Sequence, residues 1–267
     1  MKDLRDVVAQ LRGPEGCPWD KEQTALTLTP YALEEVFELV EAIERGDDNN
    51  VREELGDVLF QIVLHSQLAA EEGRFNLADV AREQADKLRR RHPHVFGGTR
   101  INSSAEVVAQ WEIQKAREHS TTRIMEIPAA LPALQRATKI GHKAQKMDFD
   151  WTEAKAVFTK VKEELAEFEE AWGQQTPKDS DGPSEEMREE FGDLLFSLAQ
   201  VARHLHFDPE ASLRAANEKF VKRFRKMIEV SCGEDPFLAL PRDQKEKLWQ
   251  QIKQTQPQKI AKKFPKI

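Results

Sequence analysis

The sequence predicts an all-α protein of two tandem helical modules built on helix-bundle packing, and three observations carry this. Valine and isoleucine are scattered through patterns of helical period and are not gathered into short alternating runs. No strand–turn–strand or strand–glycine loop–helix unit is present. One acidic pattern occurs twice: Glu34, Glu35 and Glu38 followed by Glu54 and Asp57, then Glu163, Glu164 and Glu167 followed by Glu190 and Asp193. A chain of 267 residues has room for one large core or two modest ones, and the duplication favours two.

Residues 4–11 predict a short helix, broken by Gly13-Pro14-Glu15-Gly16-Cys17-Pro18-Trp19-Asp20. Thr29-Pro30 predicts an N-cap followed by proline, with Leu33, Val36, Phe37, Val40 and Ile43 as the apolar stripe. The next helices are expected over about 51–72 and 77–91. The stretch 92–105 reads as a connector, with His94-Val95-Phe96 anchoring it, and a helix is expected over about 104–119. Prolines 128 and 132 interrupt the periodicity. The modules are therefore placed at 1–119 and 133–267, joined by a linker over 120–132. In the second module, helices are expected from Leu134 to about Lys146, Thr152 to Trp172, Ser184 to His204, from Pro209 onward, and from Arg242 to Lys253. The polar stretch 173–183 reads as an exposed loop and 254–267 as a tail.

Composition excludes several classes. The net charge is −7 and the pI near 5.6, which disfavours a general nucleic-acid-binding surface. Two cysteines, Cys17 and Cys232, form neither a metal signature nor a secreted disulfide framework. The first residues lack a signal peptide's apolar core and no run approaches membrane-span length, so a cytoplasmic protein is expected. Glu-x-x-His occurs nowhere, which argues against a di-iron bundle. Gly-x-x-x-x-Gly-Lys-Ser/Thr is also missing, so this is no P-loop protein.

The acidic pattern is the candidate site. Glu163, Glu164 and Glu167 span an arc of about 100° on one helix, and taken alone this is an ordinary amphipathic face. The partner helix differs. Glu190 and Asp193 share a face and are surrounded by Phe191, Leu194, Leu195, Phe196, Leu198 and Val201; Glu54 and Asp57 sit in an equally apolar setting. Such helices are expected to be buried on most sides, where carboxylates need a pair or a metal. Oxygen ligands without cysteine suit Mg²⁺, with Mn²⁺ as a substitute. Lys160 lies four residues before Glu164, and Lys219 and Arg223 lie four apart on another helix. The latter pair reads equally as surface charge or as a phosphate contact.

These motifs resemble the MazG-type nucleoside triphosphate pyrophosphohydrolases of the all-α NTP pyrophosphatase superfamily. The family pattern Glu-Glu-x-x-Glu, a gap, then Glu-x-x-Asp is matched by Glu34-Glu35-Val36-Phe37-Glu38 with Glu54-Leu55-Gly56-Asp57, and by Glu163-Glu164-Leu165-Ala166-Glu167 with Glu190-Phe191-Gly192-Asp193. The resemblance extends through Gly16-Cys17-Pro18-Trp19-Asp20, Arg91-His92-Pro93-His94-Val95-Phe96, Phe149-Asp150-Trp151 and Asn217-Glu218-Lys219-Phe220. It implies hydrolysis of nucleoside triphosphates between the α and β phosphates, with broad tolerance of the base.

By that resemblance Glu164, Glu167, Glu190 and Asp193 are magnesium ligands, and Glu163 either supports those ligands from behind or orients water. Lys160, Lys219 and Arg223 contact phosphates, and Asn217 supports the site or contacts the nucleotide. Trp249 admits two readings, a nucleotide-pocket wall or a helix-packing residue. Glu35, Glu38, Glu54 and Asp57 offer a second metal site. The first module has Lys87 and Arg91 at the spacing of Lys219 and Arg223, but Tyr31 stands in the place of Lys160. The first module is therefore expected to be structural or weakly active and the second catalytic. Glu186 occupies a position where relatives carry lysine, with Arg188 nearby. A homodimer is expected on family grounds. The competing reading is a non-catalytic helical scaffold or regulatory protein whose acidic clusters are structural.

Overall fold

A computed structural model describes residues 2–98, 125–174 and 182–255, together with positions 103, 106, 107, 110, 111, 113 and 114. No strand occurs among them, and no helix is long and apolar enough to cross a membrane. The chain divides into two compact units, Met1–Thr121 and Thr122–Ile267. Most of the helix expected over 104–119, the loop residues 175–181 and the tail from residue 256 lie outside the described residues.

The first unit contains α1 (Lys2–Arg12), α2 (Pro18–Glu22), α3 (Thr29–Arg45), α4 (Asp48–Glu71), α5 (Leu77–Arg91) and α6 (Pro93–Phe96). Helix α4 lies against α1, α3 and α5. Its start is three residues earlier than the apolar pattern suggests, because the Asp47 carboxylate accepts from the backbone N–H groups of Asn49 and Asn50. Helix α3 departs from expectation in its cap. Thr29 is already helical, Leu28 precedes it in a right-handed helical conformation, and no side chain caps this end. The turn Thr24–Thr29 is itself hydrogen-bonded, Leu28 N–H to the Thr24 carbonyl at 3.2 Å, so the Thr29 hydroxyl instead donates back to Ala25. At the other end Gly46 takes a left-handed φ of 73°, and both its N–H and that of Asp47 reach the Ala42 carbonyl. This tight reversal lays α3 alongside α4. Asn76 and Asp79 form a reciprocal capping box at α5.

Val8, Leu28, Val63, Leu64 and Leu68 form the core of this unit. Leu64 and Val63 are 1% exposed, and each such burial contributes about 1.5–3 kcal/mol. Arg12 joins the ends of three helices: it pairs with Glu71 at 2.7 Å and donates to the carbonyls of Asp20 and Gln23. Val95 and Phe96, expected to anchor the connector, are exposed in the chain.

The second unit contains α7 (Ala133–Gln145), α8 (Ala154–Gln174), α9 (Glu185–His204), α10 (Pro209–Val230), α11 (Glu234–Ala239) and α12 (Arg242–Thr255). Helices α8 and α9 pack along their lengths and α7 crosses α9. Small buried residues, Val157, Val161 and Ala171 on α8 with Ala199 and Ala202 on α9, occupy these helix surfaces. A separate core of Met227, Phe237 and Ile252 joins α10, α11 and α12.

A buried polar network ties the acidic helices together. The Gln200 amide donates to the Ala137 carbonyl at 2.9 Å and accepts from Arg203 Nε at 2.8 Å. Arg203 forks onto both oxygens of Asp150, which also meets His204 and accepts from the Trp151 N–H. Gly141 on α7 is required here, since any β-carbon would collide with the Gln200 carbonyl oxygen and Arg203 Nε. Asp150 lies four residues before the start of α8 and Arg203 is on α9, so the pair ties the segment leading into one helix to the other. The guanidinium beside it, opposed in part by burial, holds the Asp150 carboxyl at about 2. Its folded value lies below its unfolded value near 3.8, so this stabilisation is complete above that pH and is lost as pH falls toward about 2. We expect Asp150→Asn to cost about 1–2 kcal/mol in urea unfolding at neutral pH, and the difference from the unaltered protein to vanish across that acid window.

Candidate metal and phosphate site

The two acidic patterns converge as paired helices. In the second unit one oxygen each of Glu164, Glu190 and Asp193 lies within 4.8 Å of the others. In the first unit Glu35, Glu38 and Glu54 meet the same condition, again within 4.8 Å. Each triad draws from both arms of its motif, α8 with α9 and α3 with α4. The fourth expected ligand stands outside each triad yet acts on it electrostatically. Glu167 pushes up the Glu190 carboxyl, and Asp57 pushes up Glu35 and Glu54.

The enclosure expected around these carboxylates is only partial. Glu54 and Glu164 are buried, Glu35, Asp57 and Glu190 half-buried, and Glu38, Glu167 and Asp193 exposed. The apolar residues flanking them are open as well, Leu55 at 52% and Phe191 at 49% exposure. The reason is geometric: a pair of helices covers one side of each partner and leaves the others free. Phe191 still touches α8 through Phe168, with ring centroids 5.6 Å apart.

Burial is the largest cause of the upward shift at Glu190, followed by the charges of Glu167, Glu164, Asp193 and Glu189. Burial also leads at Glu54 and Glu35, with neighbouring carboxylates adding to it. Convergent carboxylates that resist joint ionisation form an all-oxygen donor set that fits a hard divalent cation. The second triad also carries its own counter-charge. Lys160 Nζ lies 2.8 Å from Glu164 and 3.1 Å from Glu163, and these contacts, the Glu164 bond first, hold the lysine well above its ordinary pKa.

The MazG nucleotide pyrophosphohydrolase domain model matches residues 23–96 and again 152–228, each match spanning one acidic helix pair. The chain belongs to the MazG family. It is 43% identical over 256 residues to a Thermotoga maritima nucleoside triphosphate pyrophosphohydrolase/pyrophosphatase MazG, covering 94% of this chain and 95% of that protein. It is 42% identical to an Escherichia coli K12 nucleoside triphosphate pyrophosphohydrolase over the same shares. A Mycobacterium tuberculosis protein of that name is 39% identical over 132 residues, 48% of this chain and 40% of the relative.

Other residues expected at a MazG site fall in two groups. Lys160 and Glu163 sit with the triad. Asn217, Lys219 and Arg223 lie on α10, and no contact among the described residues joins them to the carboxylates. Trp249 packs beside the Met227–Phe237–Ile252 core, 5.0 Å from the Phe220 ring and 6.0 Å from the Arg223 guanidinium. There it gives Arg223 a fixed aromatic neighbour. In the first unit Tyr31, in the Lys160 position, meets Trp19 edge to face at 5.8 Å, so an aromatic pair replaces the cation.

Sequence reasoning missed the Asp150–Arg203–Gln200 network. Its traces in the sequence are the Phe149-Asp150-Trp151 segment and the way Gln200 and Arg203 interrupt an apolar helix at three-residue spacing. The crowding at Glu190 yields a direct test. Because its carboxyl is shifted upward, neutralising it relieves the fold at neutral pH. Glu190→Gln should raise the melting temperature in the presence of a chelator at neutral pH, with the gain shrinking as pH falls toward the raised pKa. A lower melting temperature under these conditions would contradict the crowding.

Proposed function

We propose that the chain hydrolyses nucleoside triphosphates between the α and β phosphates, with broad base tolerance, at the second acidic triad. The observation that carries this is the convergence of Glu164, Glu190 and Asp193 beside Lys160, in a chain that matches named pyrophosphohydrolases over nearly its full length. A cation, Mg²⁺ or in its place Mn²⁺, would be held by Glu164, Glu190 and Asp193 with Glu167 beside them. When bound it supplies phosphate charge neutralisation and a more acidic water.

The remaining work falls to the protein. Lys160 is positioned by Glu163 and Glu164 and offers its ammonium to the triphosphate. Glu163, exposed at the rim of the cluster, orients the attacking water and receives its proton. The water oxygen bonds to the α-phosphorus and the bridging P–O bond to the β-phosphate breaks. Nucleoside monophosphate and pyrophosphate leave. Lys219 and Arg223 on α10 supply further positive charge to the phosphates.

In the first module Tyr31 provides no such ammonium, which supports weak or absent turnover there. The acidic balance of the chain argues against nucleic acid as a general ligand and leaves local lysines, arginines or a bound cation to meet a nucleotide's phosphates.

Incubating the protein with a panel of nucleoside triphosphates and Mg²⁺ should yield monophosphate and pyrophosphate. Diphosphate and phosphate would place the cleavage elsewhere. No turnover would favour a scaffold with structural acidic clusters. Glu167→Gln or Asp193→Asn should lower turnover by about 10²–10³-fold, while Glu38→Gln or Asp57→Asn leaves most of it. The reverse pattern would move the active site to the first module.

A homodimer completes this reading. Equivalent positions in the two copies, Val36 and Leu165, Leu55 and Phe191, Ile62 and Leu198, are all exposed apolar residues within the single chain. A second copy laid on these faces would cover them and enclose the carboxylates more fully. Light scattering should therefore give twice the chain mass of 30.6 kDa, and a monomer would contradict this arrangement.

A further inference from the structure

Glu164 is the most enclosed carboxylate of the second triad, and it is the one that Lys160 meets. The ammonium lies 2.8 Å from Glu164 Oε1 and 3.1 Å from Glu163 Oε1. The Glu164 side chain is only 7% exposed, so solvent screens its charge poorly and a positive partner is needed. Helix stability does not account for the choice of partner. A lysine four residues before a glutamate is the less favourable order on a helix, because each charge then lies toward the like-signed end of the helix dipole. Packing does not lock the lysine either. Its side chain is 34% exposed, and a flexible four-carbon stem can carry the ammonium to another partner.

Two cations therefore address one carboxylate. Glu164 offers an oxygen that groups with those of Glu190 and Asp193 within 4.8 Å, a donor set for a divalent ion. The same side chain accepts from Lys160. A divalent ion at this triad and an ammonium on Glu164 repel each other, strongly so where solvent is partly excluded. A triphosphate alters the balance, because its oxygens give the ammonium somewhere else to settle. The first module marks the contrast: Tyr31 stands in the corresponding place, packs on Trp19 at 5.8 Å and brings no positive charge.

We propose that Lys160 is a tethered counter-cation that exchanges partners. Without nucleotide it holds Glu164 and weakens the triad for a free divalent ion; with nucleotide it moves to the phosphates, so that the ion is taken up chiefly as its nucleotide complex. That the triad is a cation site rests on the pyrophosphohydrolase reading; the competition at Glu164 goes beyond it.

The test uses the full chain carrying Glu38→Gln and Glu54→Gln, which leaves one acidic triad to measure. Calorimetry and electron paramagnetic resonance would follow Mn²⁺ binding without nucleotide. Lys160→Met and Lys160→Gln should each bind Mn²⁺ about tenfold more tightly than the parent. Lys160→Arg keeps the charge and should stay near the parent. Lys162→Met removes an equal charge from the same helix, but Lys162 lies over the Phe158 ring at 5.4 Å, and the change there should be less than about twofold. Mn²⁺ should also raise the melting temperature of Lys160→Met by more than that of the parent. With the α,β-methylene analogue of ATP at saturating Mn²⁺ the order should reverse, Lys160→Met binding the analogue about tenfold more weakly. A lysine with a structural role alone would, when replaced, weaken both. The proposal fails if Lys160→Met and Lys160→Gln bind free Mn²⁺ no more tightly than the parent, if Lys162→Met tightens it as much, or if the analogue binds Lys160→Met as tightly as the parent. Failure of parent and variants alike to bind Mn²⁺ would overturn the cation site together with the proposal. Absence of turnover in the unaltered chain would count against the catalytic reading alone, since none of these measurements needs it.

Discussion

The structure depends on keeping like charges together. Each helix pair brings three carboxylates within 4.8 Å, a grouping that water alone would disperse. In the second unit the opposing forces are identifiable. The small residues of α8 and α9 give both helices a close-packing surface, and the Arg203–Asp150 fork ties the segment leading into one to the end of the other. Lys160 then offsets the negative charge at Glu164. Stability is thus concentrated at Asp150 and Arg203, and strain at Glu190.

The two copies show how much of this device is separable from chemistry. Both retain the triad, but their surroundings have diverged. The second surrounds its carboxylates with an ammonium and a salt-bridged buttress. The first replaces the ammonium with Tyr31 packed on Trp19. The same acidic motif thus stands in two different electrostatic settings, one with a lysine counter-charge beside it and one with an aromatic pair in that place.

Much of the fold was legible in the sequence because helical periodicity and capping are local. Asp47, Asn76 and Ser184 mark helix starts through hydrogen bonds spanning two or three residues. Thr29 misleads for an equally local reason: the turn before it is already hydrogen-bonded, so the residue resembling a cap lies inside the helix. The triads were legible because the repeated motif places carboxylates on two successive helices. Long-range features were hidden. Nothing in the spacing of Asp150 and Arg203, 53 residues apart, announces a buried pair. The expectation of apolar helices buried on most sides failed because the helices packed on α4 and α9 cover only part of a surface that apolar residues encircle.

That failure bears on the site itself. Leu55 and Ile62 flank Glu54 and Gln61 on α4, just as Phe191 and Leu198 flank Glu190 and Ser197 on α9. Exposed apolar groups and converging carboxylates therefore share the same short stretches of helix. Covering the first would lower the dielectric around the second, strengthening both their mutual repulsion and their attraction for a cation. The apolar residues next to the carboxylates are accordingly part of the electrostatics: whatever covers them sets how strongly the carboxylates repel one another.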